Sequence, residues 1–265
     1  MSTVLVRGTG DVGSAVATLL FRDGHTVVLH DAASPPHARR GMAFVDALYE
    51  GTAELDGLLA KRAPGIDALP WMLGCRRALP VTDAPLDAVV AEVRPDVVVD
   101  ARMQKRRAPD VPPGLAPYTI GVGPNFRAGV DVDVAIETQW GDDLGAIVRR
   151  GPTRALAGDP QPIDGHARDR FVYAPADGTF RTTLLIGDAV AAGTEVGRLD
   201  DVPVFAPLSG CLRGLAHDGA DVRTGAKIVE VDPRGDPGAV RGLGERPRRI
   251  AQGVLRAVND RDARR

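Results

Sequence analysis

Val4-Leu-Val-Arg-Gly-Thr-Gly-Asp-Val-Gly13, or VLVRGTGDVG, is the stretch whose reading decides the fold. Val4 to Val6 is a short apolar run of buried-strand type. Gly8, Gly10 and Gly13 follow, and Ser14 to Arg22 then carries apolar residues at helical spacing. Asp23-Gly24 ends that helix, with Gly24 suited to a left-handed cap. Thr26 to His30 reads as a second strand with Asp31 at its carboxyl end. Strand, tight turn, helix, strand and acid together give GxGxxG its dinucleotide-binding context. The first glycine permits the turn, the second admits a pyrophosphate, and the third lets helix pack on strand. Free N–H groups at the helix mouth would meet the anion. Asp31 stands near the spacing, roughly 20 residues, at which an acid bonds a ribose hydroxyl.

Working outward, Asp11 opposes a bound pyrophosphate unless it points away. Arg39 and Arg40 could meet a ribose phosphate, so NAD and NADP are not separated. Gly41 to Tyr49 and Ala53 to Arg62 read as helices, and Pro85 to Val93 as another with proline in its first turn. Leu79 to Val81, Val97 to Asp100, Tyr118 to Gly123 and Val130 to Thr138 read as strands, and Trp140 to Leu144 as a turn into a short helix. Polar residues gather at the strand ends, where open parallel sheets place ligands. The expected cofactor site is therefore Gly8, Thr9, Gly10, Asp11, Val12, Gly13, Asp31, Arg39, Arg40, Asp100, Arg102, Lys105 and Asn125.

The second half carries an internal repeat. Ala174, Pro175, Gly178, Gly187, Val190, Gly193 and Val196 recur as Ala206, Pro207, Gly210, Gly219, Val222, Gly225 and Ile228, each pair 32 residues apart. Two units are too few for a solenoid, and suit a small two-fold barrel in which each half covers the other. The layout resembles the biotinyl/lipoyl carrier fold. The joining segment, Arg198 to Pro203, has no lysine, so neither biotin nor lipoate is expected. The expected fold is thus α/β: a Rossmann-like doubly wound parallel sheet over 1–150, a linker over 151–170, a two-repeat all-β barrel over 171–234, and a tail over 235–265 with a short helix.

The chain has 265 residues, 44% hydrophobic and 26% charged, which argues against disorder. Lys+Arg 33 against Asp+Glu 35 leaves a net charge of −2, with no basic field for nucleic acid. No apolar run is long enough to span a bilayer. Cys75 and Cys211 lie apart with no metal-type spacing, so no metal site is expected and a reducing cytoplasm is the simpler compartment.

In order and spacing, several stretches resemble the YqeB family of selenium-dependent molybdenum hydroxylase maturation proteins. They are VRGTGDVG, the segment around Arg39-Arg40, FVDALYEG (44–51), DVVVDARMQKR, TIGVGPNFRAGVDVDVAIET and DLG (143–145). APADG…IGDAV, APLSGCLRGLAHDGADVRTGAKIVEVDPRG and Arg249 to Val258 match as well. The resemblance implies a cytoplasmic accessory protein whose partners are a molybdenum hydroxylase or its maturation factors. Its first half would hold NAD(P) or a molybdopterin dinucleotide. An NAD(P)-dependent oxidoreductase is the alternative, with Lys105 and Glu137 as acid/base candidates and no assigned catalytic residue. A third reading is a binding or assembly module whose glycines are purely structural. Oligomeric state, a homo-oligomer included, stays open.

Overall fold

The fold was analysed in a computed structural model, which describes residues 1–104, 109–155 and 160–264. The first half runs β1 (Thr3–Arg7), α1 (Asp11–Arg22), β2 (Thr26–His30), α2 (Asp46–Glu50), β3 (Thr52–Leu55), β4 (Leu58–Arg62), α3 (Leu69–Cys75), β5 (Leu79–Thr82) and α4 (Leu86–Val93). It continues with β6 (Val97–Asp100), β7 (Tyr118–Val122), β8 (Arg127–Ala128), β9 (Val134–Ile136), β10 (Ile147–Val148) and β11 (Gly151–Pro152). Nine of these strands form one sheet in the order β10-β9-β7-β6-β1-β2-β5-β4-β3.

The central strands are apolar on both faces, as a sheet covered on two sides requires. Val4, Val6, Val27, Leu29, Val97 and Val99 point to one core, while Leu5, Val28 and Val98 point to the other. Alternate side chains on each strand thus serve opposite layers.

A doubly wound, all-parallel sheet is not what forms. The edge strands β3 and β10 run antiparallel to their neighbours, so the sheet is mixed. Residues Ala53 to Arg62, expected as a helix, form the β3–β4 hairpin. Its turn is Asp56-Gly57, with φ 55° and 76°, the left-handed pair that a two-residue hairpin loop requires. No helix follows β6 in its crossover to β7 among the described residues, and Trp140 to Leu144 turns directly into β10.

The second half comprises β12 (Phe171–Tyr173), β13 (Gly178–Arg181), β14 (Ala189–Val190), β15 (Glu195–Leu199), β16 (Val202–Phe205), β17 (Gly210–Leu215), β18 (Asp221–Val222) and β19 (Lys227–Asp232). The 32-residue repeat appears as an exchange of partners. Gly178 pairs with Val222, and Gly210 with Val190, so the opening strand of each unit is bonded to the second strand of the other. The expected closed barrel is corrected: the strands form two separate antiparallel sheets, β12-β19-β17-β14 and β16-β15-β13-β18. Their edge strands have one partner each, so no continuous ladder closes a ring. Phe180, Leu212, Ile228 and Val231 fill the core of this half.

The last helix, α5 (Glu245–Asp262), is 18 residues long and packs on α1, well beyond the short helix expected at 250–258. Ile250, Val254 and Val258 are fully buried in the first-half core, each adding roughly 1.5–3 kcal/mol. Gly253 lies against the turn after β9, where an added Cβ would sit 2.3 Å from the Gly145 carbonyl oxygen. The carboxyl-terminal helix therefore completes the amino-terminal layer. No helix of the described residues is long and apolar enough to cross a membrane.

Candidate functional site

The glycine turn has the backbone that its sequence demands. Gly8 has φ 108°, and a Cβ on Gly13 would stand 1.9 Å from the Gly8 carbonyl oxygen, so helix and turn touch main chain to main chain. Several donors of the turn, however, are occupied. Asp31 accepts the Thr9 N–H at 2.6 Å and the Thr9 hydroxyl at 2.8 Å. Gly8 N–H donates to the His30 carbonyl at 2.8 Å. The Asp11 carboxylate accepts the Val12 N–H at 2.9 Å in the first turn of α1.

His37, which the sequence reading passed over, fills the open side of the turn. Its Nε2 lies 3.0 Å from Asp31 Oδ2, and its Nδ1 would be 3.1 Å from a Cβ on Gly10. The space expected for a pyrophosphate beside the second glycine is taken by an imidazole. Burial works against both charges, but their mutual hydrogen bond prevails: His37 is pushed up, and Asp31 is held well below the usual carboxylate range. Thr9 adds to the effect on Asp31.

Beyond the turn, charges meet across the two halves. Arg39 donates Nη1 to Asp11 at 3.0 Å, and Nε and Nη2 to Glu230 of β19 at 2.8 and 3.0 Å. Glu230 is fully buried, and it also accepts from Lys227 at 2.7 Å and from Arg170. Burial opposes ionisation of Glu230, yet Arg39 and Lys227 hold its carboxyl well below the ordinary range. Arg213 and Arg234 pair with the equally buried Asp232 at 3.2 and 2.7 Å. None of Glu230, Lys227, Arg170 and Arg213 was expected as a site residue. The available signal was an acid in the interior of the apolar run Lys227-Ile-Val-Glu-Val-Asp232, every residue after Lys227 being buried.

The remaining strand-end residues do not converge on this junction. Asp100 pairs with Arg7 at 3.3 Å and with Arg102 at 2.6 Å, and Arg102 reaches on to Asp110. The crevice beside them is about 10 Å³, room for a single water at most. Arg40 turns away to Asp46 at 2.8 Å. Asn125 sits in an exposed turn with φ 77°. Glu137 accepts main-chain N–H groups from Thr138, Gln139 and Arg154, so its carboxylate ties its own turn to the chain at Arg154. Lys105 lies outside the described residues. An open hollow of about 480 Å³ at the ends of β4 and β5 is lined by Arg62, Thr82 and Asp83 and by none of the expected residues. Among the described residues no three His, Cys, Asp or Glu side chains are grouped to hold a metal ion.

No family model matches the sequence. A protein described as uncharacterized protein YqeB, from Escherichia coli (strain K12), is 34% identical over 255 residues, covering 96% of this chain. The chain is homologous to YqeB. It spans about half of that relative, 47% of its length. Similar solved structures include the product-bound ectoine utilization protein EutE (DoeB) from Ruegeria pomeroyi, 15% identical with a TM-score of 0.26, covering 87% of this chain and 85% of that one. A succinylglutamate desuccinylase/aspartoacylase from Rhodobacter sphaeroides gives the same identity, score and coverage. An aspartoacylase family protein from Mesorhizobium loti is 12% identical with a TM-score of 0.28, covering 86% of this chain and 84% of that one. Likenesses at this level carry no argument about this chain.

The likeness to YqeB stands without the maturation role attached to the family in the sequence reading. The expectation of a dinucleotide-binding molybdenum hydroxylase maturation protein is corrected, as is its NAD(P)-dependent oxidoreductase alternative. Two carboxylates, Asp31 and Asp11, already bond the Thr9 and Val12 amides of the turn. A bound diphosphate would face both carboxylates and would have to displace the His37 ring from beside Gly10.

Proposed function

We propose that this chain is a protein-binding module in which the glycine turn is a structural joint. The observation that carries the reading is the closed turn: Thr9 and Val12 give their N–H groups to Asp31 and Asp11, and His37 covers Gly10. The junction of Arg39 with Asp11 and Glu230 ties the joint to the second half. Glu137, the acid/base candidate within the described residues, is engaged by main-chain donors and serves as a clamp.

The surface offered to a partner lies on β16, an edge strand whose Val202 and Phe205 are about half exposed. Apolar side chains on an unpaired edge favour contact with another polypeptide. Cys75 and Cys211 are unpaired, which suits a reducing compartment such as the cytoplasm.

Co-purification from native cells, comparing the tagged chain with a Val202→Asp/Phe205→Asp variant, tests the reading. A defined partner retained by the first and lost from the second, at an unchanged thermal midpoint, is expected. Equal retention by both would overturn the assigned surface. Micromolar binding of a nicotinamide dinucleotide would overturn the module reading itself.

A further inference from the structure

The two faces of the nine-stranded sheet are covered unequally. On one side lie α1 and α5, 12 and 18 residues long. On the other, Leu5, Val28 and Val98 sit beneath α3 and α4, which have only 7 and 8 residues. This thin layer leaves Leu73, Leu86, Val90 and Val93 partly buried, and Trp71 stands 68% exposed among them. An aromatic side chain on a large apolar patch is the composition of a protein contact.

Charge on this layer is sorted by position. β4, β5 and β6 all point the same way in the sheet, so α3 and α4, which return the chain between them, both run the opposite way. Asp67 and Asp87 are exposed where the two helices begin, at the carboxyl ends of the strands. Arg76, Arg77 and Arg94 are exposed just past the last turns, at the other end. Arg76 marks that end by donating to the Gly24 and His25 carbonyls, which precede β2. The 8 residues of α4 separate the ends by roughly 12 Å. Of the remaining charges on this stretch, Asp83 pairs with Arg62 at 2.6 Å and Asp96 with Arg261 at 3.6 Å. Glu92 is the one acid in the last turn of α4. Lys61 and Glu54 on the flanking hairpin carry opposite signs. One end therefore bears two uncompensated acids, and the other three arginines against one glutamate.

We propose that the α3–α4 face binds a second copy of this chain about a two-fold axis. A surface acidic at one end, basic at the other and apolar between is complementary to itself after half a turn. The helices of one copy then lie antiparallel on those of the other, so Asp67 and Asp87 of each meet Arg77 and Arg94 of its partner. Trp71 and Val90, between the charged ends, are covered at the centre, where burial of an aromatic side chain contributes most. β16 belongs to the second half, so this interface is separate from the surface assigned above and does not depend on it.

Sedimentation equilibrium of the whole chain tests the interface. A monomer–dimer equilibrium is expected, weakened by salt as exposed charge pairs are screened. Trp71→Ala should raise the dissociation constant about tenfold or more. Arg77→Asp/Arg94→Asp and Asp67→Arg/Asp87→Arg should each weaken self-association, whereas an equal mixture of these two variants should form a mixed dimer, because every reversed charge then meets its opposite. All five side chains are exposed, so the variants keep the fold, and an unchanged thermal midpoint checks this. Val202→Asp/Phe205→Asp should leave the dimer intact. A chain that stays monomeric to about 0.5 mM overturns the inference. So does a dimer that Trp71→Ala and both charge variants leave at full strength, or one lost only in Val202→Asp/Phe205→Asp.

Discussion

Asp31 Oδ2 lies 2.6 Å from the Thr9 main-chain nitrogen, so the acid at the end of β2 faces inward and closes the turn. The same carboxylate takes the Thr9 hydroxyl and His37 Nε2, three donors on one oxygen. Thr9 is fully buried, and its N–H has no route to water. Asp31→Ala should therefore cost about 1–3 kcal/mol, read as a lower urea midpoint at unchanged slope. A variant as stable as the wild type would mean that the turn does not depend on this bond.

The His37–Asp31 pair predicts a pH dependence with a definite sign. Asp31 raises the His37 pKa against burial, so the folded chain binds this proton more tightly than the unfolded one. The stability contributed is complete below the unfolded value, about 6.5, and disappears as pH rises through the higher folded value. Urea melts of wild type and His37→Gln should differ most near pH 5.5 and converge at alkaline pH. A gap that widens with pH would contradict the pairing.

Glu230 is the anion on which both halves close. Glu230→Gln leaves Arg39, Arg170 and Lys227 facing a neutral amide in a buried place, and breaking a buried pair in this way costs about 3–5 kcal/mol. Chemical denaturation should show the loss together with separate melting of the two halves. A single transition at the wild-type midpoint would show that the junction does not couple them.

Gly253→Ala tests the docking of α5. The new methyl would stand 2.3 Å from the Gly145 carbonyl oxygen, main chain that cannot yield locally. Overpacking of this kind costs about 1–3 kcal/mol or more. Amide exchange should accelerate over α1 and α5 together, because their shared core separates as one. Unaltered protection would contradict the close approach.

Local elements were legible where one physical cause acts alone. Val4 to Val6, the helix after Gly10 and the left-handed Gly24 follow from apolar spacing and backbone freedom, and β1, α1 and the turn at Gly24 are found there. Gly13 does what its position implies, letting α1 rest on the turn. The 32-residue repeat was read as a closed two-fold barrel, and the closure fails because it depends on edge strands that the repeat does not describe. Ala53 to Arg62 went astray because its apolar residues suit a helix as well as a hairpin, and Asp56-Gly57 was the signal that separates them. The site was least legible. GxGxxG fixes main-chain geometry without stating which side chains return to fill it, and His37 and Arg39 reach the turn, and Glu230 reaches Arg39, through tertiary packing alone.

The amide resonances of Thr9, Asp11 and Val12, followed in 1H–15N spectra while NAD is added to millimolar concentration, test the closed turn most directly. Slow exchange of the Thr9 N–H with solvent, and no saturable displacement of any of the three signals, is the outcome required of a joint already bonded to Asp31 and Asp11. Saturable shifts with loss of the Thr9–Asp31 bond would mean that the turn opens to a diphosphate, contrary to this account.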